Sequence, residues 1–187
     1  MTTIEEAGVR PPAAEQERPG RVVFTAGEIR HRVAELAREV EAHYPAGEPL
    51  TVLGLLKGSF IFLSDLVREM RRPLQIEFLV ASSYGAAKRS SGSLAIHYDP
   101  RTDLAGRHLL LIEDIIDSGT TLSELIPRLR EQAPASIEVC ALLHKRLVRL
   151  DEEPRFVGFS APAEFLVGYG LDHAGEFRHL PYIASLS

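Results

Sequence analysis

The sequence predicts an α/β protein built on an open, mostly parallel, twisted sheet that is flanked by helices. Short apolar runs alternate with amphipathic segments, which is the order that parallel strands and their connecting helices require. Two of the runs, residues 51–56 and 108–112, are almost continuously apolar, as strands buried on both faces are. Ligands bind such sheets beyond the carboxyl ends of the strands, so the segments that follow strands are the most informative about function.

Composition excludes several classes of protein. The 187 residues suit one domain, and 45% hydrophobic with 25% charged residues is globular rather than disordered composition. A net charge of −5 argues against a broad basic face for nucleic acid. Cys140 is the only cysteine, so we expect neither an internal disulfide nor a cysteine-based zinc site. No apolar run approaches the ~20 residues that span a bilayer and no secretory signal is visible, so we expect a cytoplasmic protein without membrane partners.

The first elements follow a segment without apolar periodicity. Residues 1–20 are rich in Pro, Glu and Ala, and we expect a flexible arm there. A short strand over 22–24 follows, and Thr25 with Glu28 has the spacing of a capping box at the start of a helix. Helical spacing then recurs up to Pro45, at Ile29, Val33, Leu36 and Val40.

The middle of the chain predicts two strands, a helix and a loop. The apolar run 51–56 is a strand, residues 59–70 form a helix, and 74–80 form the next strand. The segment 82–93 is rich in Ser and Gly, which favours a mobile loop, and a strand over 94–98 follows it.

The second half begins with the strongest strand in the chain. Residues 108–112 form this strand, and a helix starts near Thr120. Pro127 falls inside that helix, where it should remove a hydrogen bond and favour a kink. Further strands are predicted over residues 137–143, 156–159 and 165–167.

The segment with the clearest chemistry follows the strand 108–112. Small polar residues, Asp117 to Thr121, lie at the predicted helix start, where backbone N–H groups without internal partners favour phosphate. Glu113 and Asp114 suit ribose hydroxyls, directly or through a divalent cation. Taken alone, the same pattern also fits a capped helix after a core strand, with acids on a solvated rim. The sequence contains neither a P-loop nor a Gly-x-Gly-x-x-Gly fingerprint after a strand.

This segment, Ile112-Glu-Asp-Ile-Ile-Asp-Ser-Gly-Thr-Thr121, resembles the phosphoribosyl-pyrophosphate (PRPP) motif of type I phosphoribosyltransferases, specifically the hypoxanthine-guanine branch. The resemblance extends over about residues 22–183 and has four further matching segments. They are Leu56-Lys57-Gly58-Ser59, Ser83-Tyr84-Gly85, Leu143-His-Lys145-Arg, and Phe165 to Asp172 with Arg178 and Leu180-Pro-Tyr-Ile183.

The resemblance implies a phosphoribosyltransferase domain over 21–187, with a small hood formed mainly by about 145–187 and the N-terminal strand. It implies transfer of hypoxanthine or guanine to PRPP, giving IMP or GMP and pyrophosphate in purine salvage. Asp117 would be the general acid/base that takes a proton from purine N7. The residues implied to bind PRPP and its ribose phosphate are Glu113, Asp114, Asp117, Ser118, Gly119, Thr120 and Thr121.

Other roles come from the same resemblance. Pyrophosphate would be bound by Lys57, Gly58 and Arg178, with a cis peptide before Lys57. A mobile catalytic loop would begin at Ser83 and Tyr84. The residues implied to contact the purine are Lys145, Phe165, Leu166 and Asp172. Lys145 has donors only, so it would pair with O6 and reject the 6-amino group of adenine.

The implied cofactor is Mg²⁺, held by Glu113, Asp114 and Asp172, and the implied assembly is a homo-oligomer, a dimer or tetramer. Three residues depart from the family pattern: Thr120 replaces a frequent Lys, Ser59 a frequent Gly, and Leu166 a smaller Val. These departures leave the balance between hypoxanthine and guanine open. The alternatives are a xanthine-preferring enzyme, a nucleotide-sensing regulator that binds RNA, and an inactive binding module.

Overall fold

Two sheets make up the fold of the computed structural model, which describes residues 18–83, 94–97, 103–147, 150 and 152–187. The helices are α1 (Ala26–His43), α2 (Phe60–Glu69) and α3 (Thr120–Arg130). The strands are β1 (Pro19–Phe24), β2 (Leu50–Leu56), β3 (Leu74–Ser83), β4 (Leu94–His97), β5 (His108–Ile116), β6 (Ser136–His144), β7 (Phe156–Ser160), β8 (Leu166–Val167) and β9 (Ile183–Leu186).

The main sheet has six strands in the order β4-β3-β2-β5-β6-β7. All neighbouring pairs are parallel except β3 with β4, which is antiparallel. Helices α1 and α2 pack on one face of this sheet and α3 packs on the other, each over its own apolar cluster. The predicted fold class, an open and mostly parallel sheet flanked by helices, is therefore confirmed.

A second, antiparallel sheet of three strands has the order β1-β9-β8 and joins the two ends of the described chain. It corresponds to the region that the resemblance assigns to a hood. The range 145–187 given for that hood also contains β7, but β7 pairs with β6 in the main sheet. The hood strands are therefore β8 and β9 with β1, and we call these three strands with the loop between β8 and β9 the hood.

Local sequence signals account for most element boundaries. The predicted capping box is present, since the Glu28 N–H donates to Thr25 Oγ1 at 3.3 Å and the Thr25 N–H donates to Glu28 Oε2 at 2.8 Å. Helix α1 ends at His43, just before Pro45. Helix α3 continues through Pro127 to Arg130, so the proline removes an N–H donor without ending the helix.

Several boundaries differ from the prediction. Strand β1 begins at Pro19, inside the segment assigned to the flexible arm, whose residues 1–17 lie outside the described part of the chain. Strand β3 reaches Ser83 rather than residue 80, because it gains β4 as a partner over its last four residues. Strand β5 extends to Ile116 along β6, so the two acids lie within the strand and not after it. Strand β9 was not predicted.

Candidate active site

The site lies where three parallel strands end side by side. Strands β2, β5 and β6 are neighbours in the sheet, and their carboxyl ends share one edge. This edge carries Lys57 after β2, Asp117 after β5 and Lys145 after β6. The topology therefore brings together segments that are distant in sequence, as the carboxyl-end rule for open α/β sheets predicts.

The turn between β5 and α3 has the features of a phosphate site. Gly119 adopts a φ of 73° at the start of α3, and a Cβ there would lie 2.2 Å from Leu150 Cδ2, so the position suits only glycine. The hydroxyls of Ser118 and Thr120 are 2.9 Å apart on the turn. The first N–H groups of α3, from Thr120 and Thr121, have no partner within the helix. A cavity of about 340 Å³ adjoins this turn and extends along α3.

Asp117 and Lys145 form an ion pair at the centre of this edge. The Lys145 ammonium donates to Asp117 Oδ2 at 3.1 Å. The side chain of Lys145 is 9% exposed and that of Asp117 is 57% exposed, so a buried cation faces an accessible carboxylate. The Lys145 N–H donates to the Ile116 carbonyl at 3.0 Å, which fixes the lysine backbone against the end of β5. A ring with a hydrogen-bond acceptor and an N–H can reach both groups at once.

The two acids of β5 are held in a low-dielectric environment. Burial raises the pKa of Glu113 well above its ordinary value, and the charge of Asp114 raises it further. Burial also raises the pKa of Asp114 to about 6, although backbone hydrogen bonds and Arg178 oppose the shift. Glu113 Oε2 is buried and has no hydrogen-bond partner among the described residues. Buried acceptors of this kind favour a donor or cation from a ligand.

The predicted pyrophosphate loop joins β2 to α2. The Leu56–Lys57 peptide is cis, as the resemblance implies. A Cβ on Gly58 would lie 1.6 Å from Asp114 Oδ2, so the loop passes directly over that carboxylate. Ser59, which replaces a frequent glycine, is fully buried and donates from its hydroxyl to the Leu55 carbonyl at 2.5 Å. This serine stabilises the loop from within rather than facing a ligand.

The hood contributes the loop between β8 and β9. Arg178 donates to the Gly170 carbonyl at 2.6 Å and pairs with Asp172 Oδ1 at 2.6 Å. Arg178 lowers and Asp172 raises the pKa of Asp114, so both charges lie close to the acid of β5. The described residues contain no group of three or more His, Cys, Asp or Glu side chains that could hold a metal ion by themselves.

The predicted purine contacts have contrasting burial. Phe165 precedes β8 and is 54% exposed, with its ring edge-to-face against His173 at a centroid distance of 5.5 Å. Leu166, the next residue, is buried in β8. An exposed aromatic ring held by a neighbouring ring is a suitable stacking surface for a planar ligand.

The predicted mobile loop is described only at its first residue. Ser83 is the last residue of β3, whereas Tyr84 and the rest of the predicted mobile loop lie outside the described residues.

A contact that sequence reasoning missed joins the hood to α2. The Tyr169 hydroxyl donates to Asp65 Oδ2 at 2.6 Å. The glycines on both sides of Tyr169 mark an unusual turn, but no local signal identifies Asp65.

Comparisons with known proteins agree with this geometry. The family profile described as "Phosphoribosyl transferase domain" matches residues 24–174. The hypoxanthine-guanine phosphoribosyltransferase of Dictyostelium discoideum is 43% identical over 169 residues, covering 88% of this chain and 94% of that protein. The hypoxanthine phosphoribosyltransferase of Salmonella typhimurium is 42% identical over 167 residues, with the same coverage.

A solved structure extends the likeness to three dimensions. The hypoxanthine-guanine phosphoribosyltransferase of Bacillus anthracis superposes with a TM-score of 0.85 at 35% identity, covering 92% of this chain and 99% of that one. The profile match spans most of the chain, and both curated relatives align over nearly their whole length. The chain therefore belongs to the phosphoribosyltransferase family and, within it, to the hypoxanthine-guanine phosphoribosyltransferases.

Proposed function

We propose that the chain joins hypoxanthine or guanine to PRPP, giving IMP or GMP and pyrophosphate, and that the residues of the strand-end site carry this purine-salvage transfer. The observation that carries the proposal is the pair of Lys145 and Asp117, 3.1 Å apart beside the phosphate turn. One member is a pure donor and the other, when ionised, a pure acceptor. A 6-oxopurine offers an acceptor at O6 and an N–H at N7, which matches the pair.

Proton transfer at N7 is the step assigned to Asp117. As purine N9 attacks C1 of the ribose, the bond from C1 to the pyrophosphate oxygen breaks and the purine ring becomes electron-poor. The Asp117 carboxylate accepts the N7 proton, which restores a neutral base in the product. Lys145 donates to O6 and orients the ring, while Phe165 stacks on it and the backbone at Leu166 and Asp172 reads the opposite edge. The resting ion pair opens when the base enters.

The anionic groups of PRPP require donors on both sides of the ribose. The turn from Ser118 to Thr121 offers hydroxyls and backbone N–H groups to the 5′-phosphate. Lys57, the Gly58 backbone and Arg178 take the pyrophosphate, whose departure develops negative charge. Glu113 and Asp114 receive the ribose hydroxyls. The loop that begins at Ser83 and Tyr84 excludes water from the reacting carbon.

The carboxylates of the site fit Mg²⁺, since oxygen ligands are those that this cation prefers. The charge of Asp172 raises the pKa of Asp114, so these two carboxyls lie close to each other. Glu113 Oε2 is buried and has no hydrogen-bond partner among the described residues. Among the described residues, Glu113, Asp114 and Asp172 do not form a three-carboxylate cage, so waters and substrate oxygens would have to supply the remaining ligands. Glu113, Asp114 and Asp172 would hold Mg²⁺, which would neutralise charge on the leaving pyrophosphate.

Assembly and location complete the proposal. A homo-oligomer, dimer or tetramer, is inferred from family membership alone. None of the described helices is long and apolar enough to cross a membrane. The cytoplasm remains our prediction for the location.

Replacement of Asp117 by Asn tests the proton-transfer role. The amide can still accept a hydrogen bond but cannot take a proton at neutral pH, so we expect kcat to fall by roughly 10²–10⁴-fold with hypoxanthine. A matched control is Asp103→Asn, an exposed acid before the opposite end of β5. Steady-state kinetics at saturating PRPP and Mg²⁺ give both values. An Asp117→Asn enzyme as fast as the control would contradict the role.

A further inference from the structure

The turn Gly168, Tyr169 and Gly170 has an unusual backbone in the middle of the hood. All three residues have positive φ, at 100°, 50° and 100° respectively. Residues other than glycine rarely adopt a positive φ, so the surroundings must hold the backbone of Tyr169 in place. Its N–H donates to the Leu180 carbonyl at 2.8 Å and its side chain is only 6% exposed. The proposed transfer uses no atom of this buried tyrosine.

The phenol of Tyr169 ties the turn to a helix of the main domain. It donates to Asp65 Oδ2 at 2.6 Å, a length typical of a hydroxyl bound to an ionised carboxylate. Asp65 belongs to α2, the helix that starts directly after the pyrophosphate loop. Asp65 is also paired with Arg68, one turn along the same helix, whose side chain is 71% exposed. The buried partner of Asp65 is therefore the tyrosine.

The same turn rests on the pyrophosphate loop. A Cβ on Gly170 would lie 2.1 Å from the Gly58 carbonyl oxygen, so the two backbones are in direct contact. Gly58 in turn passes over Asp114, where a Cβ would lie 1.6 Å from Oδ2. The loop is thus enclosed between the turn of the hood and the acid of β5. A shift of the turn would displace the loop.

The turn also fixes the arginine assigned to pyrophosphate. Arg178 donates from its guanidinium to the Gly170 carbonyl at 2.6 Å, and the Gly170 N–H donates to the Arg178 carbonyl at 3.0 Å. The other side of the guanidinium pairs with Asp172. The position of Gly170 therefore determines where both Arg178 and the Gly58 backbone present their donors.

We propose that Tyr169 is a positioning residue for the pyrophosphate half of the substrate, acting through its hydrogen bond to Asp65. The bond makes helix α2, the loop before it and the hood turn one unit, so that Lys57, Gly58 and Arg178 meet the same pyrophosphate. Lys145 and Asp117 directly follow β6 and β5, outside this unit. Leu166 and Asp172, which are assigned to the purine, flank the turn, so the effect should be larger for PRPP and pyrophosphate than for the base without being absent there. The inference rests on the proposed function, because pyrophosphate is the group that this unit would bind.

The test uses Tyr169→Phe, which deletes only the hydroxyl, and Asp65→Leu, which deletes its acceptor. Loss of a hydrogen bond to a charged group should raise KM for PRPP and Kd for magnesium pyrophosphate by about tenfold in each variant. KM for hypoxanthine should stay within about twofold. The double variant should lose no more than either single one. Asp65→Asn keeps an acceptor oxygen and should recover most of the affinity.

Arg68→Ala is the matched control, because it removes the exposed partner of Asp65 and leaves the tyrosine bond intact. Its KM for PRPP should equal that of the wild type. Thermal unfolding of each variant separates loss of affinity from loss of fold. The inference is overturned by an unchanged KM and Kd in Tyr169→Phe, or by equal losses for PRPP and hypoxanthine. Wild-type protein without turnover would instead overturn the proposed function, and calorimetric titration with magnesium pyrophosphate needs no turnover.

Discussion

At the scale of one residue, the proposed function assigns the choice of base to Lys145. Its ammonium is nearly buried, so a donor facing it in a bound base would be left without water or an acceptor. Hypoxanthine and guanine present O6 at that place, whereas adenine presents an amino group. Discrimination by an unpaired buried donor is far stronger than discrimination by shape.

Replacement of Lys145 by Gln should relax this discrimination. A glutamine oxygen can accept from the adenine amino group, so we expect the hypoxanthine-to-adenine ratio of kcat/KM to fall by roughly 100-fold or more. Lys145→Met is the matched control, because it keeps the length and offers no acceptor. It should lose hypoxanthine activity without gaining adenine. Equal adenine activity in the two variants would contradict the assignment.

Glu113 makes stability depend on pH. Burial raises its pKa in the folded state, so the folded protein holds more protons than the unfolded chain above the ordinary pKa of Glu. The contribution of Glu113 to stability is therefore most favourable below its ordinary pKa of about 4.5, and it falls as the pH rises toward the folded pKa. Glu113→Gln removes this cost, so its free energy of unfolding should rise relative to that of the wild type as the pH increases above about 4.5.

Urea unfolding in a chelating buffer measures this gain without metal binding. Glu69→Gln, on the exposed end of α2, is the control for loss of a carboxyl outside the core, and Glu113→Gln should depend on pH more strongly than this control. A Glu113→Gln difference that does not change with pH would show that the carboxyl is not kept protonated by the fold. Glu113 is also one of the acids proposed to receive the ribose hydroxyls, so the burial that costs stability belongs to the proposed site.

Glycines determine how closely elements approach one another at the site. Gly170 and Gly175 lie in the same hood loop with φ of 100° and 88°. A Cβ on Gly170 would meet the Gly58 carbonyl at 2.1 Å, while nothing lies within 4 Å of a Cβ on Gly175. Both positions therefore require a backbone with positive φ, but only Gly170 lies against another loop.

Alanine at the two glycines should therefore separate the two effects. Gly175→Ala should cost about 1 kcal/mol of unfolding free energy for its left-handed backbone. Gly170→Ala should cost roughly 1–3 kcal/mol more, because the added methyl group pushes the hood from the pyrophosphate loop. Chemical denaturation of both variants gives the difference. Equal losses would mean that the hood and the loop do not touch as described.

Elements specified by local signals could be predicted from the sequence, and those specified by distant partners could not. The capping box of α1 and the apolar run of β2 are local, and both elements are present. Strand β9 has four residues and depends on β1, at the other end of the chain, and on β8. Strand β5 continues beyond its acids because Ile115 and Ile116 pair with β6.

The residues of the site also separate into those that the sequence identified and those that depend on distant partners. The resemblance identified Asp117 and Lys145, which follow the strands β5 and β6. Because these strands are parallel neighbours, their ends bring the two side chains to 3.1 Å. The burial of Glu113 argues against the alternative of a capped helix with acids on a solvated rim, because this acid lies within β5, a central strand of the sheet. Tyr169 and Asp65 are 104 positions apart, and no local pattern relates them.

The whole molecule carries a net charge of −5, although its proposed substrate is strongly anionic. Bulk charge argued against a nucleic-acid surface, but it does not describe the local field at the strand ends. In the proposed function, the backbone N–H groups at the start of α3, Lys57 and Arg178 meet the anionic groups there, and the acids of β5 and the hood meet a cation or sugar hydroxyls.

The central claim is that this chain transfers a phosphoribosyl group to a 6-oxopurine. The most direct measurement incubates the wild-type protein with PRPP and Mg²⁺ and, in parallel, hypoxanthine, guanine, xanthine or adenine, and follows nucleotide and pyrophosphate release. We predict that hypoxanthine or guanine gives its nucleoside monophosphate with equal pyrophosphate, that adenine gives none, and that chelation of Mg²⁺ stops the reaction. Turnover of adenine without hypoxanthine, or of no base at all, would contradict the account.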